Sequence, residues 1–339
     1  MDIRKIMLFA FKYGIYILSV IVLCSTAYLV TTVSQPKNLV CMNCSSGVSS
    51  VYDLGRGFKK PPLIPIFNTQ LRKRLLSISK YPFSNLTSFF LEPNYVCSEK
   101  KGILLVILIH SSPYHFERRK AIRRTWTNSV YLNYTGSIFR IFLFGSPNNT
   151  LLQKDIEMEN QYYSDILQGT FTDSYYNLSF NTMTGLQWVE EKCNNAKVVI
   201  KVDDDIMIDM LTVFPKFVIR FASKSSLVLC SYGERKIMRL KRFKWYMEED
   251  MFKGRNKYPP YCEGKLVIMT KDVVSKLYSL AFKTEFFYIE DVYFYGFVMN
   301  KIKGLKVIQM RWGIDFVLRD AAAKECLINR PQNCSFYAT

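Results

Sequence analysis

Apolar positions fall into two rhythms along the middle of the chain. A continuous apolar run over 102–109 has strand length, and its lack of alternation predicts a central strand covered on both faces. Over 115–130, Phe116, Ala121, Ile122 and Trp126 recur among Arg and Lys residues, which predicts an amphipathic basic helix. A second strand is expected over 138–144, closed by Gly145-Ser146-Pro147, then an acidic, half-apolar helix over 151–163 and a third apolar strand over 166–171. Phe180, Met183, Leu186, Val189 and Cys193 recur at three- and four-residue spacing, so 179–193 reads as a helix with one buried face, stopped by Asn194-Asn195. The next strand, Lys197-Val198-Val199-Ile200-Lys201-Val202, runs into Asp203-Asp204-Asp205. Strands alternating with helices predict an α/β domain with a largely parallel sheet, in which ligands bind at the carboxyl ends of the strands. The Asp triplet lies at such an end.

The second half is less regular. A helix is expected over 211–222, a strand over 227–231, and a basic, aromatic segment of weak periodicity over 236–257. Tyr258-Pro259-Pro260-Tyr261-Cys262-Glu263-Gly264 reads as a turn-rich approach to a strand over 266–269. A helix over 272–280 precedes Phe286-Phe287-Tyr288-Ile289-Glu290-Asp291, whose carboxylates open a further helix over 292–301.

The N-terminal pattern sets the expected compartment. After Met1-Asp2-Ile3-Arg4-Lys5 and Lys12, residues 13–33 carry no charge, a length that crosses a bilayer at about 1.5 Å per helical residue. The run lacks a good cleavage site, which favours an uncleaved signal anchor, and the basic residues before it place that end in the cytosol. The expected organisation is a cytoplasmic tail (1–12), a transmembrane anchor (13–33), a lumenal stem (34–95) and a globular domain (96–339). N-glycosylation sequons at Asn43, Asn85, Asn133, Asn148, Asn177 and Asn333 agree with a lumenal domain, as do eight Cys residues outside the span.

The net charge of +18 invites a nucleic-acid partner. The basic residues are scattered among apolar stretches, however, and no zinc-finger, homeodomain or RNA-binding signature is present. A surface facing anionic sugar nucleotides or membrane lipid fits equally well, and no nucleic-acid partner is expected.

Two acidic groups carry the candidate chemistry. Adjacent carboxylates repel, and a hard divalent cation such as Mg²⁺ or Mn²⁺ would cancel that repulsion; a solvated acidic turn is the competing explanation of the triplet taken alone. On an extended backbone Asp203 and Asp205 share a side and Asp204 points away. With only two His residues in the chain, acid–base work falls to carboxylates, and Glu290-Asp291 beside an aromatic run would have a raised pKa suited to a base. Helix capping and dipole compensation explain that pair more simply on composition alone.

The order of motifs adds to this. Arg119-Lys120-Ala121-Ile122-Arg123-Arg124-Thr125-Trp126, Phe142-Leu143-Phe144-Gly145, Asp173-Ser174-Tyr175-Tyr176-Asn177-Leu178-Ser179, Lys201-Val202-Asp203-Asp204-Asp205, the Tyr258–Gly264 stretch and Glu290-Asp291-Val292 together resemble glycosyltransferase family 31, the β-1,3-galactosyltransferases and β-1,3-N-acetylglucosaminyltransferases. The resemblance implies a GT-A nucleotide-sugar-binding fold with a mixed, largely parallel central sheet. It also implies a UDP-sugar donor, Mn²⁺, a glycoprotein or glycolipid glycan acceptor, and transfer with inversion to a β-1,3 linkage. Residue by residue, it implies Asp205 as principal metal ligand with Asp203 beside it, and Asp203 and Asp204 near ribose and metal. Asp291 becomes the general base with Glu290 as second choice, and Arg119, Arg123 and Asp173 part of the uridine and diphosphate pocket. A Golgi type II membrane location follows, with homo- or hetero-oligomers possible in that setting. A catalytically inactive carbohydrate-binding or scaffold protein of the same fold is the alternative.

The chain departs from the family pattern at Asn181, where many members have Lys, and at Leu266-Val267, where many have Gly and Tyr. These changes bear on donor and acceptor identity more than on fold. Disulfides are expected for Cys97–Cys193, Cys230–Cys262 and Cys326–Cys334.

Overall fold

The structure, a computed structural model, describes residues 80–85, 88–94, 97, 103–128, 137–243, 245–310, 316–317 and 336–338. The expected membrane span and the Cys326–Cys334 pair lie outside them. Among the described residues no helix is long and apolar enough to cross a membrane.

Eight strands form the central sheet: β1 (Phe89–Leu91), β2 (Ile103–His110), β3 (Ser137–Ser146), β4 (Ile166–Thr172), β5 (Val198–Asp203), β7 (Leu227–Gly233), β8 (Tyr261–Thr270) and β9 (Lys306–Gln309). Their spatial order is β1-β4-β3-β2-β5-β8-β7-β9. Strands β4, β3, β2 and β5 are mutually parallel, β8 runs antiparallel to both β5 and β7, β9 is parallel to β7, and β1 closes the other edge antiparallel to β4. The α/β, mostly parallel architecture expected from the sequence is therefore present, with antiparallel strands on both flanks of the parallel block. A small second sheet pairs β6 (Ile206–Ile208) with β11 (Phe336–Ala338), which is parallel to β10 (Phe316–Val317).

The helices are α1 (Phe116–Arg124), α2 (Thr150–Tyr163), α3 (Leu178–Lys192), α4 (Met210–Val213, continued by Phe214–Val218 and Ile219–Ala222), α5 (Lys271–Ala281) and α6 (Glu290–Val292, continued by Tyr293–Val298 and Met299–Lys301). Local chemistry sets several of their starts. The Asn149 side chain accepts from the Leu151 and Leu152 amides at the head of α2, and Asp209 does the same for Leu211 and Thr212 at α4.

Two apolar cores lie on opposite faces of the sheet. Val106 and Leu108 of β2 and Val199 of β5 pack with α3, α5 and α6, while Leu105, Ile107, Ile109, Ile200 and Val202 pack with α1, α2 and α4. Burial on both faces is why β2 and β5 read as unbroken apolar runs. Lys201 breaks that pattern in β5: it sits on the α3/α6 face with Val199, only 3% exposed.

Three features differ from the sequence-based expectations. The end of the expected stem belongs to the folded body: β1 pairs with β4, Phe83 is buried in the core, and the Phe286 amide donates to the Lys80 carbonyl at 3.0 Å. Tyr261–Gly264 is not a turn but the first part of β8, because its backbone finds partners on β7. The basic, aromatic 236–257 segment contains no helix among its described residues, and one isolated bridge, Lys236 to Lys257, closes its base. The disulfides Cys97–Cys193 and Cys230–Cys262 are both formed.

Strand direction puts six chain ends along one edge of the sheet. Reading across from β4 to β7 they are Thr172, Ser146, His110, Asp203, Tyr261 and Gly233.

Candidate active site

The Asp triplet occupies the middle of that edge. Asp203 ends β5 on the same face as Lys201, and Lys201 Nζ donates to Asp203 Oδ1 at 2.7 Å. Asp204 points to the opposite side, as the alternation predicts. It is buried and accepts from Ser111 Oγ (2.8 Å) and Arg118 Nη1 (2.7 Å), with His115 Nδ1 at 2.7 Å. Burial pushes the Asp204 pKa upward, but the hydrogen bonds from His115, Arg118 and Ser111 and the charge on His115 outweigh it and hold the carboxyl below its ordinary range. Asp204 is therefore a fixed structural anion and not an open ligand.

Arg119 and Arg123 do not face this edge. Both are buried, and their guanidinium groups are taken up by Glu159 of α2 and by Asp165 ahead of β4. Arg119 donates twice to Glu159 (2.9 and 2.5 Å) and once to the Ser112 carbonyl (2.5 Å); Arg123 donates to Glu159 (2.7 Å) and to both Asp165 oxygens (2.9 and 2.7 Å). Arg140 adds a third cation to the network, the second on Asp165, at 2.8 Å. The expected nucleotide-pocket role is corrected accordingly: this network fastens α1 to α2 and to the start of β4, leaving neither guanidinium accessible to a nucleotide. Helical spacing carried the signal, since Arg119, Ile122, Arg123 and Trp126 share one buried face and Arg118 lies off it. Arg118 and His115 are the residues that sequence reasoning missed.

Asp173 lies just beyond β4 on the same edge, where its carboxylate accepts from the Gly145 amide at 3.0 Å. Burial raises its pKa to about 6, against the opposing Gly145 hydrogen bond and His115 charge.

Glu290 and Asp291 reach the site from the helix layer that covers the Lys201 face of the sheet, at the head of α6. Glu290 is buried, accepts from Thr182 Oγ1 at 2.5 Å and lies 3.9 Å from Lys201 Nζ. Burial raises its pKa to about 7; Lys201 and the Thr182 hydrogen bond oppose this, while the Asp291 and Asp203 charges add to it. Thr182 Oγ1 also lies 3.3 Å from His110 Nε2, and burial together with the Lys201 charge pushes His110 well below its ordinary pKa. Asp291 is less enclosed than Glu290. Its pKa is raised by burial and held back by the Val292 and Gly264 amides and by Lys201.

Gly264 of β8 makes this approach possible. Its carbonyl accepts from Lys201 Nζ at 2.5 Å, and a Cβ there would sit 2.8 Å from Glu290 Oε2 and 3.0 Å from the Asp291 Cβ. A cleft of about 450 Å³ opens above these groups. Asp203, Lys201, Glu290 and Asp291 line its floor, and Tyr175, Trp245, Tyr258, Tyr261 and Tyr288 contribute to its walls.

Divalent ions such as Mg²⁺ and Mn²⁺ take oxygen ligands. Burial raises the Asp203 pKa, Lys201 opposes it, and the neighbouring Asp205 and Asp204 charges push it up again, a repulsion that a cation beside the tip of β5 would relieve. No group of three or more His, Cys, Asp or Glu converges on a common point among the described residues. Carboxylate oxygens are the donor type such an ion prefers, and Asp203 and Asp205 would be its protein ligands there.

The sheet edge gathers carboxylates from β5 and α6 at one cleft, and sequence comparison places the chain in a family. The family model described as galactosyltransferase matches residues 117–311, and the chain belongs to this galactosyltransferase family. It is 35% identical over 213 residues to beta-1,3-galactosyltransferase 1 of Mus musculus and of Homo sapiens, covering 62% of this chain and 64% of theirs. It is 31% identical over 214 residues to beta-1,3-galactosyltransferase 2 of Mus musculus, covering 61% of this chain and 49% of that one. The chain thus spans less than two thirds of these relatives' length. Among solved structures, a glycosyltransferase involved in the glycosylation of the major capsid of PBCV-1 aligns with a TM-score of 0.31 at 13% identity, over 69% of this chain and 92% of that one. That likeness is too slight to bear on function.

Proposed function

We propose that this chain is an inverting β-1,3-hexosyltransferase that moves galactose, or an N-acetylhexosamine, from a UDP-sugar to a glycan hydroxyl. The observation that carries the proposal is the closeness of two acidic groups, one at the end of a sheet strand and one at the head of the helix that covers it. The tip of β5 and the head of α6 meet across Lys201 and Gly264, beneath one aromatic-walled cleft.

In this reading the β4–β2 side of the edge, with Asp173, His115 and Arg118, receives the nucleotide. Asp205 and Asp203 hold a divalent ion, which when bound neutralises charge on the departing diphosphate. Asp291 takes the proton from the acceptor hydroxyl. Glu290, with its pKa of about 7, keeps a proton more readily than its neighbour, so the pair's negative charge resides mainly on the less buried Asp291. Lys201 and the Gly264 amide fix that carboxylate, and the tyrosine walls limit attack by water.

Membrane anchoring through 13–33 and a Golgi lumenal site belong to the same proposal, with 34–79 as the tether. Two disulfides support an oxidising compartment.

UDP-galactose turnover over a glycan acceptor panel, with and without Mn²⁺, tests the reading. Asp291→Asn is expected to lower kcat by about 10²–10⁴-fold while leaving UDP binding intact, and Asp205→Ala to weaken UDP binding in Mn²⁺. Wild-type protein that binds UDP and glycan yet transfers nothing would support the inactive scaffold instead.

A further inference from the structure

Strand order fixes which side of Asp291 each end of the cleft occupies. β8 lies between β5 and β7, so Gly264, against which Asp291 packs, has the Asp203 tip on one side and the chain leaving β7 on the other. At about 4.8 Å per strand, the two flanks are about 10 Å apart. If the diphosphate occupies the β5 flank, the acceptor occupies the β7 flank.

That flank has its own chemistry. The 235–257 segment beyond β7 holds nine Lys and Arg against three Asp and Glu. It contributes Arg235, Lys236 and Trp245 to the cleft. Trp245 is 38% exposed and stacks on Phe243 at 5.5 Å with an 18° interplanar angle, and Arg242 covers the same Phe243 ring at 5.2 Å. A braced, open indole suits the apolar face of a pyranose. Arg235 is neutralised by Glu263 (2.9 Å), whereas exposed Lys236 has no ion pair among the described residues. Two further polar atoms at the wall, Tyr258 Oη and Glu263 Oε2, are buried with no hydrogen-bond partner, and both suit sugar hydroxyls.

We infer that the β7 flank is an acceptor subsite for an acidic sugar, with Trp245 under the ring and Lys236 on its carboxylate or sulfate. The inference rests on the transferase reading for its choice of flank. A neutral acceptor would use the indole, Tyr258 and Glu263, but would leave the Lys236 charge without a counterpart.

The experiment titrates the full chain in detergent micelles, with UDP and Mn²⁺ present, using N-acetyllactosamine, its 6-sulfated form and a matched disaccharide ending in glucuronate. The acidic glycans are expected to bind about three- to tenfold more tightly than the neutral one, the range for a partly exposed ion pair. Lys236→Ala should erase that difference without changing the neutral or the UDP affinity, and Trp245→Ala should weaken all three glycans. A preference for sulfate over glucuronate, or the reverse, identifies the anion. Equal binding of neutral and acidic glycans by wild type overturns the inference, as does equal weakening of both by Lys236→Ala. So does an effect of Lys236→Ala confined to binding of phosphatidylserine vesicles, which would make the segment a membrane contact. Turnover measured alongside separates the two readings: transfer without acidic preference sinks only this inference, and acidic-selective binding without transfer sinks only the transferase.

Discussion

Lys201 Nζ lies 2.7 Å from Asp203 Oδ1 and 3.9 Å from Glu290 Oε2, so one buried ammonium joins the end of β5 to the head of α6. The cation is as enclosed as the apolar residues around it, and without its partners it would shed its proton. Burial lowers the Lys201 pKa, but Asp203, Glu290 and Asp291 together raise it above the usual lysine value. Lys201→Met removes the cation and leaves buried Glu290, with Asp203 and Asp291 nearby, without its counter-charge, an expected cost of about 3–5 kcal/mol. Urea unfolding measures it; a loss below about 1 kcal/mol would show the three carboxylates to be better hydrated than their burial indicates.

Glu290 gives stability a pH dependence of unusual sign for a carboxylate. Its folded pKa of about 7 lies above the ordinary 4.5, so the folded state holds the proton more tightly than the unfolded chain. The contribution is full below about pH 4.5 and is lost as pH rises through 7. Metal-free protein should therefore lose about 3 kcal/mol from this group between pH 4.5 and pH 8. Glu290→Gln should flatten that slope, read as the difference in urea midpoint between the two pH values.

Gly264→Ala places a methyl carbon against Glu290 Oε2 and the Asp291 Cβ. Because β8 is held by hydrogen bonds to both neighbours, the head of α6 must give way. The expected result is a kcat at least tenfold lower with an acceptor KM that changes less, and a stability loss of about 1–3 kcal/mol. Unchanged kcat would mean that Asp291 need not sit where it does.

Arg119 and Arg118 are adjacent and should behave oppositely. Arg119→Ala leaves Glu159 buried with one fewer cation and is expected to cost about 3–5 kcal/mol. Arg118 is 48% exposed, so Arg118→Ala should change stability by less than about 1 kcal/mol. Its effect should appear in the KM for UDP-sugar, since it borders Asp204 beside the proposed nucleotide side. Thermal unfolding and donor kinetics on the two variants distinguish them.

Much of the fold was legible from local pattern. The unbroken apolar runs of β2 and β5, the 3.6-residue periodicity of α3 and the Asn and Gly stops between them follow from which faces must leave water, and that demand is written position by position. The alternation across Lys201, Asp203 and Asp204 was legible for the same reason: strand geometry alone puts the first two on one face and the third on the other. The ordered motifs carried family membership, and Cys97–Cys193 was suggested by where the two residues flank the first strand and α3.

Tertiary structure decided what each charge does. Arg119 and Arg123 look like pocket cations in sequence, yet Glu159 and Asp165, from elements 40 and 42 residues further on, turn them into a buried brace. Tyr261–Gly264 reads as a turn because two prolines precede it, but pairing with β7 makes it a strand. Glu290 acquires its raised pKa from burial, an enclosure no local pattern encodes, and the groups that oppose the rise, Thr182 and Lys201, lie 108 and 89 positions away. The Asp triplet is marked by sequence as acidic and strand-borne. Only the packing of α1 and α6 around it determines that Asp204 is locked away by Ser111, His115 and Arg118 and that Glu290 and Asp291 join Asp203 on the cleft floor, because those relationships depend on distances between residues far apart in the chain.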